Sequence, residues 1–151
     1  MKTIILAFTL VAGLYGNADA PKQHHEYSRD HLGIVTDITT GLQWQDSYAE
    51  SNDSIKNTTW DDAQRYCSLL NLGGYDDWRT PTVEELTDIT DHGNTDPAIN
   101  SVFQHTVSSA YWSSLESDSN QSVAWFVYFY NGFANWKAKD GNAYVRCIRL
   151  R

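Results

Sequence analysis

The stretch Asp77-Trp78-Arg79-Thr80-Pro81-Thr82-Val83-Glu84-Glu85-Leu86 passes from an irregular segment into a helix. Thr82 followed three residues later by Glu85 is the pattern of a capping box, in which each side chain accepts a hydrogen bond from the other residue's backbone N–H. Pro81 suits the first turn of a helix, where its missing N–H costs little. We therefore predict a helix that begins at this box and ends near Thr90.

Arg79 lies immediately before that helix, next to Trp78. A guanidinium group makes planar, bidentate contacts that can fix an irregular segment. We expect Arg79 to have a structural role, either stacking on a ring or pairing with a carboxylate such as Asp77 or Glu85.

A second helical pattern lies upstream. Its apolar stripe has the spacing of one helix face and consists of Trp60, Ala63, Cys67 and Leu70. We predict a helix from Trp60 to about Asn71, with Thr59 as its N-cap and Gly73-Gly74 as its stop signal.

Short apolar or alternating runs bounded by turn residues predict β-strands. These runs are 33–36, 42–45, 110–114, 123–130, 133–138 and 143–150. Gly41 suits a positive φ in the first turn, and Trp44 after it is predicted to point into the core. Asn131-Gly132 and Asp140-Gly141 are typical hairpin turns, so the last four strands are expected to form an antiparallel sheet.

The run 123–130 is apolar on both of its alternating faces, which is typical of a central strand. One face is expected to meet the helices, and a loop at 113–122 could cover the other. Without that cover, Phe126, Tyr128 and Tyr130 would form an exposed aromatic strip, a feature more usual in a ligand site than on a free surface.

The chain contains two cysteines, Cys67 and Cys147. An even number in an exported protein usually indicates a disulfide bond. We predict a Cys67–Cys147 bond, with two buried free thiols as the alternative.

Five short motifs occur in a fixed order along the chain. They are Thr40–Gln45, Thr59-Trp60 to Cys67, Asp77–Leu86, Tyr111-Trp112-Ser113-Ser114 and Val145-Arg146-Cys147. Together they resemble the Lcl C-terminal domain family of exported bacterial domains, over about Gly33 to Arg149. The resemblance implies an α+β, C-type-lectin-like fold, in which two helices pack on an antiparallel sheet with long loops and one disulfide joins a helix to the last strand. It also implies adhesion to surface polysaccharides.

The N-terminus has the layout of a secretory signal peptide. Lys2 precedes the apolar run Ile4–Leu14, and small residues at Ala18 and Ala20 offer two cleavage positions. The run is too short to cross a bilayer, and no membrane span is predicted. We therefore divide the chain into a signal peptide at 1–20, a polar lead at 21–31 and one domain at 32–151, and we expect a periplasmic or secreted product.

The chain is acidic, with a formal net charge of -8. This charge repels nucleic-acid phosphates at long range, so nucleic acid is excluded as the expected partner. The heavy aromatic load, including six Trp and nine Tyr, can fill a core and still leave rings for a binding surface.

A candidate saccharide site lies around the last hairpin, where rings can stack on sugar faces and amides or ammonium groups can bond to hydroxyls or sulfates. The candidate residues are Tyr128, Tyr130, Asn131, Asn135, Trp136, Lys137 and Lys139. Lys137, Lys139, Arg146, Arg149 and Arg151 also concentrate positive charge at the C-terminal end of the chain. We expect an anionic glycan to be able to bind, with an affinity that falls as salt rises.

The segment from Asp88 to Asn100 is acidic and rich in turn residues, and oxygen ligands at this density suit calcium. Its spacing does not match an EF-hand loop, and the chain contains neither Glu-Pro-Asn nor Trp-Asn-Asp, the tripeptides of calcium-dependent lectin sites. We favour a solvated turn over a calcium site, and we predict no metal and no cofactor.

Catalytic residues are not evident. Ser113-Ser114 lacks a Gly-x-Ser-x-Gly context, and His92 and His105 stand in separate polar contexts. Glu84 and Glu85 are better explained by capping and solvation than by acid–base catalysis. A non-enzymatic binding module is therefore the first hypothesis. The alternatives are an assembly module that buries its aromatic face in a possible homo-oligomer, and an enzyme of unknown type.

Overall fold

The computed structural model describes residues 25–151, which form two β-sheets, two short helices and a 3-10 turn at Ala49–Ser51. The strands are β1 (Tyr27–Arg29), β2 (Ile34–Asp37), β3 (Leu42–Gln45), β4 (Asn57–Thr58), β5 (Ala110–Ser117), β6 (Asn120–Tyr128), β7 (Phe133–Ala138), β8 (Ala143–Tyr144) and β9 (Ile148–Leu150). The helices are α1 (Trp60–Leu69) and α2 (Val83–Asp88). Within the described residues, neither helix has the length and apolarity needed to cross a bilayer. The predicted signal peptide at 1–20 lies outside the described residues.

The first sheet has the order β1-β2-β3-β9 and is antiparallel throughout. β1 shows that part of the predicted polar lead is an edge strand, with Tyr27 opposite Asp37. The predicted hairpin between β2 and β3 is confirmed: Gly41 has a φ of 78°, and the Trp44 side chain is buried.

The second sheet has the order β4-β8-β5-β6-β7 and is mixed, because β8 runs parallel to β5 where Tyr144 faces Tyr111. The prediction of one strand at 143–150 was wrong: β8 belongs to this sheet and β9 to the first. The side chains of Val145, Arg146 and Cys147 between them are all fully buried. This segment cannot alternate inward and outward as a half-buried strand does, and it crosses between the sheets instead.

The predicted loop at 113–122 was also wrong. β5 continues to Ser117 and pairs with β6 through a register shift around Glu116, so that only Asp118 and Ser119 form the turn. The next turn differs as well: β6 ends at Tyr128, and four residues lead to β7, because Phe129 turns into the core and is fully buried. Asp140-Gly141 makes a turn but no hairpin, since β7 and β8 are not neighbours.

The two helices lie on opposite faces of the second sheet. Tyr111 and Trp112 are adjacent on β5 and therefore point to opposite sides. Trp112 packs in a core with Trp60, Ala63 and Cys67 of α1. Tyr111 packs in a second core with Leu86 of α2. The α1 core and the α2 core thus sandwich β5 and β6, and helices rather than a loop cover the central strand.

The predicted capping box is present at α2. The Glu85 N–H donates to Thr82 Oγ1 at 3.2 Å, and the Thr82 N–H donates to Glu85 Oε2 at 2.7 Å. Pro81 precedes this cap instead of occupying the first turn, and the helix ends at Asp88, before the predicted Thr90. At α1, Thr59 is the N-cap residue, but its hydroxyl donates to Asp62 Oδ2 and caps no backbone N–H.

The predicted disulfide is confirmed: Cys67 of α1 is bonded to Cys147, just before β9. The Arg79 prediction is confirmed too, because Nη1 and Nη2 donate to the two oxygens of Glu85 at 2.8 and 2.6 Å. Asp77 instead accepts two hydrogen bonds from Arg149. These contacts tie the irregular segment before α2 to the helix and to β9.

Candidate functional site

The structure divides the predicted site residues between the two faces of β7. Directly opposed residues of an antiparallel pair share a face. Asn135 opposes Phe126 and Lys137 opposes Ala124, which places both on the α1 face. Trp136 opposes Trp125, and its neighbour Ala134 opposes Val127 of the α2 core. Trp136 therefore points to the α2 side, away from Asn135 and Lys137.

A groove of about 730 Å³ lies on the α2 side, between α2 and the β5–β6 hairpin. Its lining residues are Val83, Glu84, Thr87, Asp88, Leu115, Glu116, Ser117, Asp118, Ser119, Trp125 and Ala134. Trp125 and Ala134 come from β6 and β7, and Trp136 continues the same face beyond them. The Trp136 side chain is 57% exposed. We call this surface the tryptophan groove; its volume is in the range of small-molecule sites.

The tryptophan groove combines an apolar floor with acidic walls. Four acidic residues line it, Glu84 and Asp88 of α2 and Glu116 and Asp118 of the hairpin, and the Glu116 carboxylate is paired with Lys139. Burial raises the pKa of Asp88, and nearby carboxylates, including Glu84, add to the rise against the opposing effect of His25. Within the described part of the chain, the lining includes no Lys, Arg or His.

The two predicted lysines lie on the other face and are engaged in internal contacts. Lys137 Nζ donates to the Asn142 carbonyl at 2.7 Å and lies 5.7 Å from the ring centre of Trp112. Lys139 Nζ lies 3.0 Å from Glu116 Oε2 and 4.3 Å from the ring centre of Trp60. Both ammonium groups are therefore held by contacts within the protein.

The remaining predicted residues surround the turn between β6 and β7. Tyr128 and Tyr130 are exposed, with ring centres 5.9 Å apart, and the exposed Phe133 opposes Tyr128. We call these three side chains the aromatic cluster. Asn131 has a local structural contact, since its Oδ1 accepts a hydrogen bond from the Phe133 N–H.

The predicted concentration of positive charge at the C-terminal end lies partly inside the molecule. Arg146 is fully buried against Asp46, with Nη1 3.1 Å from Oδ1, and it also donates to the His105 carbonyl. Arg149 is nearly buried; it donates to Asp77 and Gln43, and its Cζ lies 3.8 Å from the ring centre of Tyr75. Two of the five predicted cations are therefore structural residues inside the molecule.

The acidic segment after α2 is held by hydrogen bonds among its own residues. Asp91 accepts hydrogen bonds from the Gly93 N–H and the Asn94 side chain, and the same Asn94 amide donates to the Ile99 carbonyl. Among residues 25–151, no group of three or more His, Cys, Asp or Glu side chains is placed to hold a metal ion.

The serine considered for catalysis is also engaged. Ser113 is fully buried, and its Oγ donates to the Trp125 carbonyl at 2.9 Å. His105 Nδ1 lies 3.7 Å from Asp46 Oδ2, in the network of the buried Arg146. These contacts give both side chains a structural explanation.

Most residues that line the tryptophan groove were not predicted as site residues. The sequence favoured capping and solvation for Glu84 and a covering loop for 115–119, whereas both line the groove. The hairpin could have been predicted from Asp118-Ser119-Asn120, a run of turn-forming residues that separates two polar segments of strand length.

No curated protein matched the chain in a sequence comparison. The model of the Lcl C-terminal domain matches residues 33–149, which include both sheets except β1 and Leu150, both helices and the disulfide. Since this match covers more than half of the sequence, the chain belongs to the Lcl C-terminal domain family.

Proposed function

We propose that this protein is a non-enzymatic extracellular binding module that recognises a cell-surface or matrix polysaccharide, and that the sugar chain lies in the tryptophan groove. The proposal includes a signal peptide at 1–20, export to the periplasm or the cell exterior, and a C-type-lectin-like arrangement of the two helices and the sheets. Of the residues predicted from the sequence, it keeps Trp136 as the ligand contact and adds Trp125 and the groove walls.

The observation that carries the proposal is the 57% exposure of Trp136 beside Trp125 at the edge of a groove. A Trp side chain exposed to this extent leaves a large apolar ring in contact with water. The indole plane offers a flat surface on which the C–H face of a sugar ring can stack. The carboxylates of Glu84 and Asp118 can accept hydrogen bonds from sugar hydroxyls at either side of that floor.

The experiment is a glycan array followed by titration of the best ligand with wild-type protein, Trp136→Ala and Phe133→Ala. Phe133 is the matched control: it is an exposed aromatic residue on the same strand, but it points to the other face. We expect Trp136→Ala to weaken binding about tenfold or more, which corresponds to the loss of one stacking contact of about 1–3 kcal/mol by analogy with base stacking. Phe133→Ala should bind as the wild type does. The proposal fails if no glycan gives a signal, or if Trp136→Ala leaves every signal unchanged.

The aromatic cluster supports a second candidate function, assembly into an oligomer or with another protein. Tyr128, Tyr130 and Phe133 place three exposed rings together at one end of the second sheet, and such patches often mark interaction surfaces. Light scattering on the same three proteins distinguishes the candidates, because assembly through this cluster predicts an oligomer that Phe133→Ala dissociates and Trp136→Ala does not.

A further inference from the structure

The walls of the tryptophan groove carry negative charge that the protein does not neutralise. Glu84, Asp88 and Asp118 form no hydrogen bond or ion pair with another described residue, whereas Glu116 pairs with Lys139 at 3.0 Å. The lining residues within 25–151 include no cation. Three exposed carboxylates therefore face a shared space, and the opposing charge that acts on Asp88 comes from His25, which lies outside the lining of the groove.

The floor of the same groove is apolar and aromatic, formed by Val83, Leu115, Trp125 and Ala134. A ligand that fits both parts needs a flat apolar face for the floor and positive charge for the walls. Pyranose rings that carry ammonium groups meet both needs, because the ring stacks on an indole while each ammonium group lies near a carboxylate or over an aromatic face.

We infer that the groove binds a cationic saccharide, a polymer of amino sugars whose amines are free and protonated. This inference rests on the proposed function and names its ligand class. It also reverses the expectation from the sequence, which favoured an anionic glycan. Sulfate or carboxylate groups on a sugar would meet Glu84, Asp88 and Asp118 at close range and would be repelled.

A basic peptide would also carry positive charge, as the amino-sugar polymer does, but it has no pyranose ring. Lysine and arginine side chains would place their cations on flexible stems, and each would lose conformational freedom on binding. A glycan chain carries its amines on rigid rings at a fixed spacing, which suits a groove walled by α2 on one side and a β-hairpin on the other.

The test compares three oligosaccharides of equal length in calorimetric titrations with the purified protein. They are a β-1,4-glucosamine oligomer, its fully N-acetylated form, and a heparin fragment. The titrations are run at about pH 5.5, where the sugar amines are largely protonated. We expect the glucosamine oligomer to bind about five- to tenfold more tightly than the N-acetylated form at low salt, since two or three exposed ion pairs contribute modestly each. This preference should shrink at high salt, and heparin should not bind.

A double variant tests the location of the site. Glu84→Gln with Asp118→Asn removes two unpaired carboxylates with little change of shape, and it should reduce the preference for the glucosamine oligomer to about twofold or less. Asp53→Asn with Asp76→Asn is the matched control, because it removes the same charge from two exposed residues outside the groove. The control should keep the full preference.

The outcomes separate this inference from the proposed function. Equal binding of the two glucosamine-based oligomers, or tighter binding of heparin, overturns the inference and leaves saccharide binding intact. An equal loss of preference in both double variants also overturns it, because the effect would then come from net charge. If no saccharide binds and a lysine-rich peptide does, both the inference and the proposed function are wrong.

Discussion

Among single substitutions that remove a charge from this domain, we expect Asp46→Asn to cause the largest loss of stability. The Asp46 carboxylate is fully buried and lies 3.1 Å from Arg146 Nη1 and 2.8 Å from Arg29 Nε. It also accepts hydrogen bonds from the backbone N–H groups of Gln104 and His105, at 2.9 and 3.1 Å. Both carboxylate oxygens are therefore used, each by one guanidinium and one backbone group.

Asparagine at this position keeps one oxygen as a hydrogen-bond acceptor. Its NH₂ group replaces the other oxygen and would face two hydrogen-bond donors. The fully buried guanidinium of Arg146 also loses the negative charge beside it. Removing one partner of a buried ion pair costs about 3–5 kcal/mol, because the other charge is left without compensation. We expect a loss of this size in the free energy of unfolding, measured by urea titration at neutral pH with the disulfide intact. Asp76→Asn, at an exposed position with no side-chain partner, should change it by less than about 0.5 kcal/mol.

Two further measurements test whether the loss of stability comes from the charge of Asp46. The first is the pH dependence of the free energy of unfolding. Burial by itself would raise the pKa of Asp46, but the charge of Arg146 and the hydrogen bonds from Arg29, Gln104 and His105 outweigh it, so the pKa is lowered in the folded protein. Stability from this group is then complete above the ordinary pKa of about 3.9 and is lost as the pH falls toward the lower folded value. Asp46→Asn should remove only part of the fall in stability at low pH, because the pKa of Asp37, of Asp77 and of Glu85 is also lowered.

The second measurement adds Arg146→Met to Asp46→Asn. An apolar residue of similar length removes the uncompensated charge, so the double variant should be more stable than Asp46→Asn alone. A loss below about 1 kcal/mol for Asp46→Asn, or additive losses in the double variant, would refute the reasoning.

Two other predictions concern the covalent link and the helix cap. Replacing Cys67 and Cys147 together by alanine should lower the free energy of unfolding by about 4–5 kcal/mol in the chain-entropy model, because the bond joins residues 80 apart, and chemical reduction of the wild type should give a similar loss. A loss under about 1 kcal/mol would mean that the unfolded chain is already restricted between these positions. Thr82→Ala should cost about 1 kcal/mol, because it removes the oxygen that accepts from the Glu85 N–H, as read from thermal unfolding. Thr87→Ala is its control on the same helix and should cost less, since the Thr87 hydroxyl bonds only to the Val83 carbonyl, which the helix can satisfy otherwise.

Features encoded by neighbouring residues could be predicted from the sequence. The box of Thr82 and Glu85 needs only residues three apart, and it correctly located the start of α2. The stripe of Trp60, Ala63 and Cys67 likewise located α1 and its buried face, because helix periodicity is a local property. The disulfide followed from having two cysteines in a chain expected to be exported.

Features that depend on distant partners could not be predicted. Arg146 stood in a sequence context that indicated a surface cation, but Asp46, a hundred positions away, makes it a buried one. The crossing of residues 145–147 between the sheets depends on the same contacts, so the final strand was predicted as continuous. Trp136 was predicted as a ligand contact, but the face of the sheet to which it points became known only from the register with Trp125 on β6. A one-residue slip of that register would have moved Trp136 to the α1 side.

The internal ion pairs also explain why the tryptophan groove is acidic. Arg29 and Arg146 are paired with Asp46, Arg79 with Glu85, Arg149 with Asp77 and Lys139 with Glu116, so five of the eleven basic residues are held in ion pairs. Because Asp46 pairs with two arginines, these contacts use one more positive than negative charge, and the side chains that remain are more acidic than the net charge of -8.

Three of those unpaired acids, Glu84, Asp88 and Asp118, lie on the two walls of one groove, on elements that the α2 core holds in place. The charge of Glu84 contributes to the raised pKa of Asp88 and costs free energy in the empty protein, because like charges near one another disfavour the charged state. A cationic ligand would remove that cost when it binds. We therefore expect Asp88→Asn to leave the fold at least as stable as the wild type, a result that a purely structural role for this carboxylate would not give.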